Sequence, residues 1–270
     1  MLPHLALNLL YPLALTEGEG LGMAYEYFVR RRLIADWLKT RPQPQRLLIA
    51  GLPERHGFSL DFFLMAQEWS AELVVVDERP QRLEKCQKVI AAAQRQGYFH
   101  NLNPTYLPVS DLIHLRELDQ TFDLALCAEV LQRIPADWVS RYWRTLWERA
   151  KAIALFAPNA SNPAHLTYNR LPGLYLDDMR TIALMAHEEQ VRIGYLDMPP
   201  FPPGMSRSQA QRERSLSSKW NMTTVWLLEL VGRLEPFFWS RWHRGRAHTV
   251  YALAVHHQPV PSAPISPPTP

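Results

Sequence analysis

Short apolar runs alternate with longer amphipathic stretches along most of this chain. The runs are Leu47–Ala50, Leu73–Val76, Thr105–Leu107, Phe122–Cys127 and Ala152–Phe156, and helical spacing lies between most of them, at Ser59–Glu68, Pro80–Gln96 and Ala136–Arg149. Apolar runs too short for helices, separated by helices, are what parallel strands joined by crossovers require, because such strands are covered on both faces. A helix over Leu174–Glu189 then leads to a strand at Gln190–Leu196, and His248–Val255 predicts the final strand. The pattern is that of an α/β protein with helices on both faces of a mostly parallel sheet.

Three segments fall outside the alternation. At the N-terminus, Leu5–Leu15 is apolar but lacks a basic leader, contains Pro12 and runs into Glu17 and Glu19, so it reads as an arm packed on the body rather than a signal peptide or a membrane span. The helix Leu21–Leu38 follows, with Tyr25, Phe28, Val29, Leu33 and Leu38 near one face and Arg30, Arg31 and Arg32 expected on the solvated side, until Arg41-Pro42-Gln43-Pro44 breaks it. Pro199–Ala247 is an insertion before the last strand, with a helix over Met222–Leu234 whose Trp226, Leu227, Leu230 and Leu234 read as a buried face. The tail from Pro259 to Pro270 holds six prolines and no charge, a composition expected to be disordered. The organisation is thus an arm and lid helix over 1–40, one domain over 41–257 with its insertion at about 199–247, and a proline-rich tail over 258–270.

Composition narrows the class. With 270 residues, 47% hydrophobic and 20% charged, the chain can bury a large core and is not a disordered or fibrous sequence. Two cysteines, Cys86 and Cys127, cannot staple a secreted fold and have no metal-ligand spacing, which points to a reducing, cytoplasmic setting and to no metal site. The formal net charge is only +3, too small to argue for nucleic acid, yet from Ser206 to Val250 eight Lys or Arg stand against three acids. There Trp220, Trp226, Phe237, Phe238, Trp239 and Trp242 lie among Arg233, Arg241, Arg244 and Arg246, making 220–246 a candidate for peripheral membrane contact, for an acidic substrate or for single-stranded nucleic acid. No specific nucleic-acid module is recognisable.

Chemistry is expected at the C-terminal strand ends, where open α/β sheets bind ligands. The first strand runs into Gly51-Leu52-Pro53-Glu54-Arg55-His56-Gly57-Phe58-Ser59, a turn in which glycine admits close backbone approach and the next helix offers free N–H groups to an anion. Ser59 is the expected cap of that helix. The second strand ends in Asp77, 26 residues after Gly51, where a carboxylate can accept from both hydroxyls of a ribose. Asp111 follows the third strand and could accept from an adenine amino group, although a lone acid there is more often a helix cap. The fourth run opens into Cys127-Ala128-Glu129-Val130-Leu131-Gln132-Arg133-Ile134-Pro135.

With these residues in this order, the chain over roughly Gly20–Val255 resembles the class I S-adenosylmethionine-dependent methyltransferases, and the fourth-strand block is the most specific match. The resemblance implies a Rossmann-like, seven-stranded sheet with the last strand antiparallel, and S-adenosyl-L-methionine as cofactor. It puts the methionine part at Gly51 and Gly57, the ribose at Asp77 and the adenine at Asp111. Cys127 and Glu129 stand beside the cofactor, with Tyr25 on a lid helix above it. It further implies in-line methyl transfer, in which alignment supplies much of the rate, and the low net charge without a nucleic-acid module favours a small-molecule or lipid-like acceptor. In the loop after the fifth strand, His165 is the candidate base and Tyr168 an orienting donor, with His56 a more distant candidate.

The sequence departs from the family where the cofactor should sit. Ile49 occupies the usual acidic position, Pro53 and Arg55 replace the second and third glycines, and Arg133 stands where histidine is common. A non-catalytic or regulatory cofactor-binding protein on a degenerate methyltransferase fold is therefore the alternative. Two other readings fail on residues: no tyrosine is followed by lysine four positions on, as a short-chain dehydrogenase needs, and Gly57-Phe58-Ser59-Leu60-Asp61 lacks the second glycine of a nucleophile elbow.

Overall fold

The structure, a computed structural model, describes residues 6–54, 57–163, 172–185, 191–198, 219–238 and 240–255. Seven strands form one sheet: β1 (Arg46–Ala50), β2 (Glu72–Asp77), β3 (Thr105–Pro108), β4 (Leu124–Ala128), β5 (Ala152–Pro158), β6 (Val191–Leu196) and β7 (Thr249–Val255). The α-helices among the described residues are α1 (Leu7–Thr16), α2 (Leu21–Leu38), α3 (Leu60–Trp69), α4 (Pro80–Arg95), α5 (Val139–Arg149), α6 (Leu176–Leu184), α7 (Lys219–Leu234) and α8 (Ser240–Arg246). The strand order is β3-β2-β1-β4-β5-β7-β6, with β7 antiparallel to both neighbours and the other pairs parallel. This is the expected sheet, reversed strand included.

Period-two alternation along the central strands divides the core into two layers. Leu47, Ile49, Leu73, Val75, Leu124 and Leu126 face α1–α4 and the inner side of α7. Leu48, Ala50, Val74, Val76, Ala125 and Cys127 face α5, α6 and the 3₁₀ segment Leu112–Glu117. The helix after β1 and the helix after β4 thus leave to opposite faces, which opens a crevice between the ends of those two adjacent strands.

The apolar N-terminal stretch is α1, with Leu7, Leu10 and Leu13 fully buried and Pro12 accommodated inside the helix. Two expectations are corrected. The arginine run of α2 is not solvated: Arg30 and Arg31 are buried. Arg30 Nε and Nη2 donate to the Asp61 carboxylate at 2.8 and 2.5 Å, Nη1 donates to Glu26 at 3.0 Å, and the guanidinium lies 4.5 Å from the Phe62 ring centroid. Arg31 donates to Glu68 at 2.5 Å. Acids on α3 make that burial tolerable, so α2 is covered nearly all round, between α3 on one side and α1 and α7 on the other. Conversely, Trp226, Leu227, Leu230 and Leu234 of α7 are exposed, while Val225 and Leu228 take the core side. Hydrophobic spacing locates an apolar face but does not say what covers it. Residues 186–190, 199–218 and the proline-rich tail, together with the side chains of Trp220, Trp239, Arg241 and Trp242, lie outside what is described.

Candidate functional site

At the crevice, the chain leaves β1 through Gly51, whose φ of +89° lies in the left-handed region that glycine takes without strain. A Cβ added there would come within 2.9 Å of Arg133 Nη2, Leu112 Cδ1 and Val130 Cγ2. Three separate segments therefore already press on this turn.

Asp77, at the tip of β2, is fully buried and points back into the same turn. Its Oδ1 accepts from the Arg79 backbone N–H at 2.9 Å and from Arg79 Nε at 2.8 Å. Its Oδ2 accepts from the Leu52 N–H at 2.7 Å, Arg79 Nη2 at 3.0 Å and Arg133 Nη2 at 3.1 Å. Burial alone would raise the carboxyl; the hydrogen bonds from Arg79, with the charge of Arg133, outweigh it and hold Asp77 below the ordinary carboxylate range. The arginines are themselves tied down. Arg79 donates to Glu54 at 2.5 Å and to the Leu52 carbonyl at 2.8 Å, and Arg133 pairs with Glu78.

The second half of the turn is filled from another direction. Gly57 has φ +59°, and a Cβ there would meet the Glu17 carboxylate at 2.9 Å. Glu17, from the segment after α1, accepts from the Phe58 N–H at 2.6 Å and from the Tyr27 hydroxyl, which in turn accepts from the Leu60 N–H at 3.2 Å. The free N–H groups at the start of α3 are thus met by an internal carboxylate and a phenol. Ser59 holds the cap position in left-handed backbone, φ 55°, but its side chain makes no capping bond, contrary to expectation. Burial pushes the Glu17 carboxyl up to about 8, against the hydrogen bonds from Tyr27 and Phe58.

The remaining expected site residues have structural partners. Asp111 caps the 3₁₀ segment, accepting from the Ile113 N–H at 3.1 Å. Cys127 is buried 3.2 Å from the Tyr142 hydroxyl, which donates to the Ala50 carbonyl at 2.6 Å; burial pushes the thiol up to about 12, so it is inert. Glu129 is buried in left-handed backbone, φ 55°, and its N–H donates to the Phe156 carbonyl at 3.0 Å. Tyr25 is buried under α7 with its hydroxyl on the Glu235 carboxylate. The structure therefore brings Gly51 and Asp77 together with Arg133, which the sequence marked only as a motif departure, and adds Arg79 and Glu17, which it did not anticipate. Arg79 was discoverable, two residues after the acid it clamps. His56, Arg55, His165 and Tyr168 lie outside the described residues.

A second buried carboxylate occupies the equivalent end of β6. Asp197 is fully buried, and among the described residues neither carboxylate oxygen has a hydrogen-bond partner. Burial, reinforced by the charges of Glu26 and Glu235, pushes it well above the carboxylate range. Nearby, a half-open cavity of about 370 Å³ separates α2 from β6 and the segment after α7, with Arg32, Leu33, Tyr195, Glu235 and Phe238 among its walls. Among the described residues, no group of His, Cys, Asp and Glu could hold a metal ion.

No protein-family model matches this sequence, and no curated protein matches it. Solved structures match in shape. The methyltransferase domain of bacterial CtHen1, in its CN form, aligns with a TM-score of 0.51 and 13% identity, covering 84% of this chain and 98% of that one. The plantazolicin methyltransferase BpumL, solved in complex with SAH, gives 0.52 and 12%, covering 86% of this chain and 85% of its own. The fold is the Rossmann-like methyltransferase fold. At such identity the likeness carries the fold and no residue roles.

Whether this methyltransferase fold can take its usual cofactor is decided at Asp77. A ribose bound at this strand end would need such a carboxylate as acceptor for its hydroxyl hydrogens. A carboxylate offers about four lone-pair sites, and five N–H groups already occupy Asp77. As arranged here, those contacts leave Asp77 no free lone pair for a ribose hydroxyl.

Proposed function

We propose that this chain is a non-catalytic or regulatory member of the methyltransferase fold, its S-adenosyl pocket closed by its own side chains. The observation that carries this reading is the double guanidinium clamp of Arg79 and Arg133 on Asp77. Glu17 supports it from the other side, standing at the start of α3 where a ligand anion would otherwise find free N–H groups. The motif departures and the clamp are one fact seen twice: the residue replacing the common histidine is the residue that reaches the ribose acid. Two free, buried cysteines accord with a reducing, cytoplasmic setting.

A second reading, methyl transfer from S-adenosylmethionine to a small-molecule or lipid-like acceptor, is favoured by the Gly51 turn and the position of Asp77 on this fold. It requires both arginines to leave the carboxylate, and it would draw on His165 and Tyr168 for acid–base work. Titration calorimetry with S-adenosylmethionine and S-adenosylhomocysteine separates the two. The closed-pocket reading expects no heat of binding from the parent chain and measurable binding from Arg133→Ala, whose removal reopens one side of Asp77. Micromolar binding by the parent chain overturns the closed pocket, and methyl turnover with candidate acceptors then separates the enzyme from a cofactor-binding protein.

A further inference from the structure

Helix α7 carries two apolar faces, and the fold uses one. Val225 and Leu228 are buried in the core, and the helix approaches α2 so closely that a Cβ at Gly232 would lie 2.8 Å from the Phe28 ring. On the outer side, Trp226, Leu230 and Leu234 stand on successive turns with Leu227 beside them, and Phe237 continues the line just past the helix. Trp226 is 67% exposed and Phe237 81%. Helix α1 extends the surface: its Leu7 N–H donates to Glu229 of α7 at 3.0 Å, and Leu9 is exposed alongside. So many large apolar side chains in one exposed patch mark an interaction surface.

The charge around the patch identifies its partner. Arg233 beside the stripe is balanced by its ion pair with Glu229, and Arg244 and Arg246 are exposed on α8 a few residues past Phe237. Of the acids in this stretch, Glu235 is buried, and Glu229 is engaged by Arg233 and Leu7. A second copy related by a two-fold axis would present the same arginines and add like charge at the rim. An anionic bilayer instead takes the Trp, Leu and Phe side chains at its acyl boundary and the arginines at its phosphates. Among the described residues no helix is long and apolar enough to cross a membrane, so contact is with the surface. We infer that the outer face of α7, with Leu9 of α1, docks this protein on anionic membrane surfaces.

The test is flotation with vesicles of mixed phosphatidylglycerol and phosphatidylcholine, and with vesicles of phosphatidylcholine alone. The intact chain is expected to float with the mixed vesicles and to lose binding as salt is raised. The double variant W226S/L230S should bind the mixed vesicles at least tenfold more weakly, and R244Q/R246Q about tenfold more weakly at low salt. Both substitute exposed side chains, and unchanged thermal melts verify that the fold is intact. No flotation with mixed vesicles, equal flotation with both kinds, or undiminished binding by W226S/L230S overturns the inference. So does a dimer in light scattering that W226S/L230S dissolves while the parent ignores vesicles. Vesicle docking is independent of what binds at Asp77, so it stands or falls apart from the calorimetry.

Discussion

Asp77 and Asp197 are the same residue type in matching places, each at the C-terminal end of a strand and each fully buried. Their chemistry is opposite. Asp77 has guanidinium groups on both oxygens, which hold it below the carboxylate range; Asp197 has no hydrogen-bond partner on either oxygen among the described residues, and burial with the charges of Glu26 and Glu235 pushes it well above that range. Burial penalises the charge of both, and what differs is whether donors compensate. A strand-end acid therefore signals a ligand site only when its acceptor capacity is unspent. The saturated carboxylate ends β2, next to the switch point between β1 and β4.

The largest effect is expected from removing the saturated partner. Asp77→Ala removes the buried acceptor shared by Arg79, Arg133 and the Leu52 N–H, leaving the arginines only Glu54 and Glu78, and should destabilise the fold by about 3 kcal/mol, the scale for breaking a buried ion pair, read as a lower midpoint in urea unfolding. A shift below 0.5 kcal/mol would mean that the clamp is loose and the pocket open to ligands. Asp197→Asn should act in the opposite direction. Because the folded pKa is raised, the stability Asp197 contributes is full below its ordinary pKa and is lost as pH rises; asparagine stays neutral and tolerates the positive φ of 67°. The variant should therefore melt higher than the parent near pH 7 and converge with it at pH 3. A lower melting temperature at pH 7 would show that Asp197 is charged and partnered in solution.

Glu17 lies between these extremes, bonded to Tyr27 and Phe58 yet raised to about 8 by burial. Its contribution to stability is expected to decline as pH rises from its ordinary 4.5 toward about 8, and Glu17→Gln should flatten that part of the stability profile. The change should be smaller than either aspartate substitution, since amide and protonated acid share most hydrogen bonds. An unaltered profile would place the titration on another group.

The strands were legible because each buried run is bounded by turn residues, and the place of Asp77 followed from that alone. Its partners were harder to see. Arg133 lies 56 positions away and reaches Asp77 only because the β1/β4 crevice brings the two loops together; Glu17 reaches Gly57 through the packing of α1 and α2. The burial of Arg30 was half legible, since Glu26 precedes it by one helical turn, but Asp61 on α3 completes the pair. For α7 the periodicity marked an apolar stripe, but the expectation that the fold buries it was wrong, because Val225 and Leu228 take the core side.

The position of β7 bears on how the sheet is assembled during synthesis. This strand comes last among the described residues but lies between β5 and β6, pairing with both along their length. Until it emerges from the ribosome, β5 has an open edge and β6 has nothing to join. A chain arrested before Thr249 would carry an unfinished, pairing-competent border, the kind of surface that nascent-chain chaperones must shield.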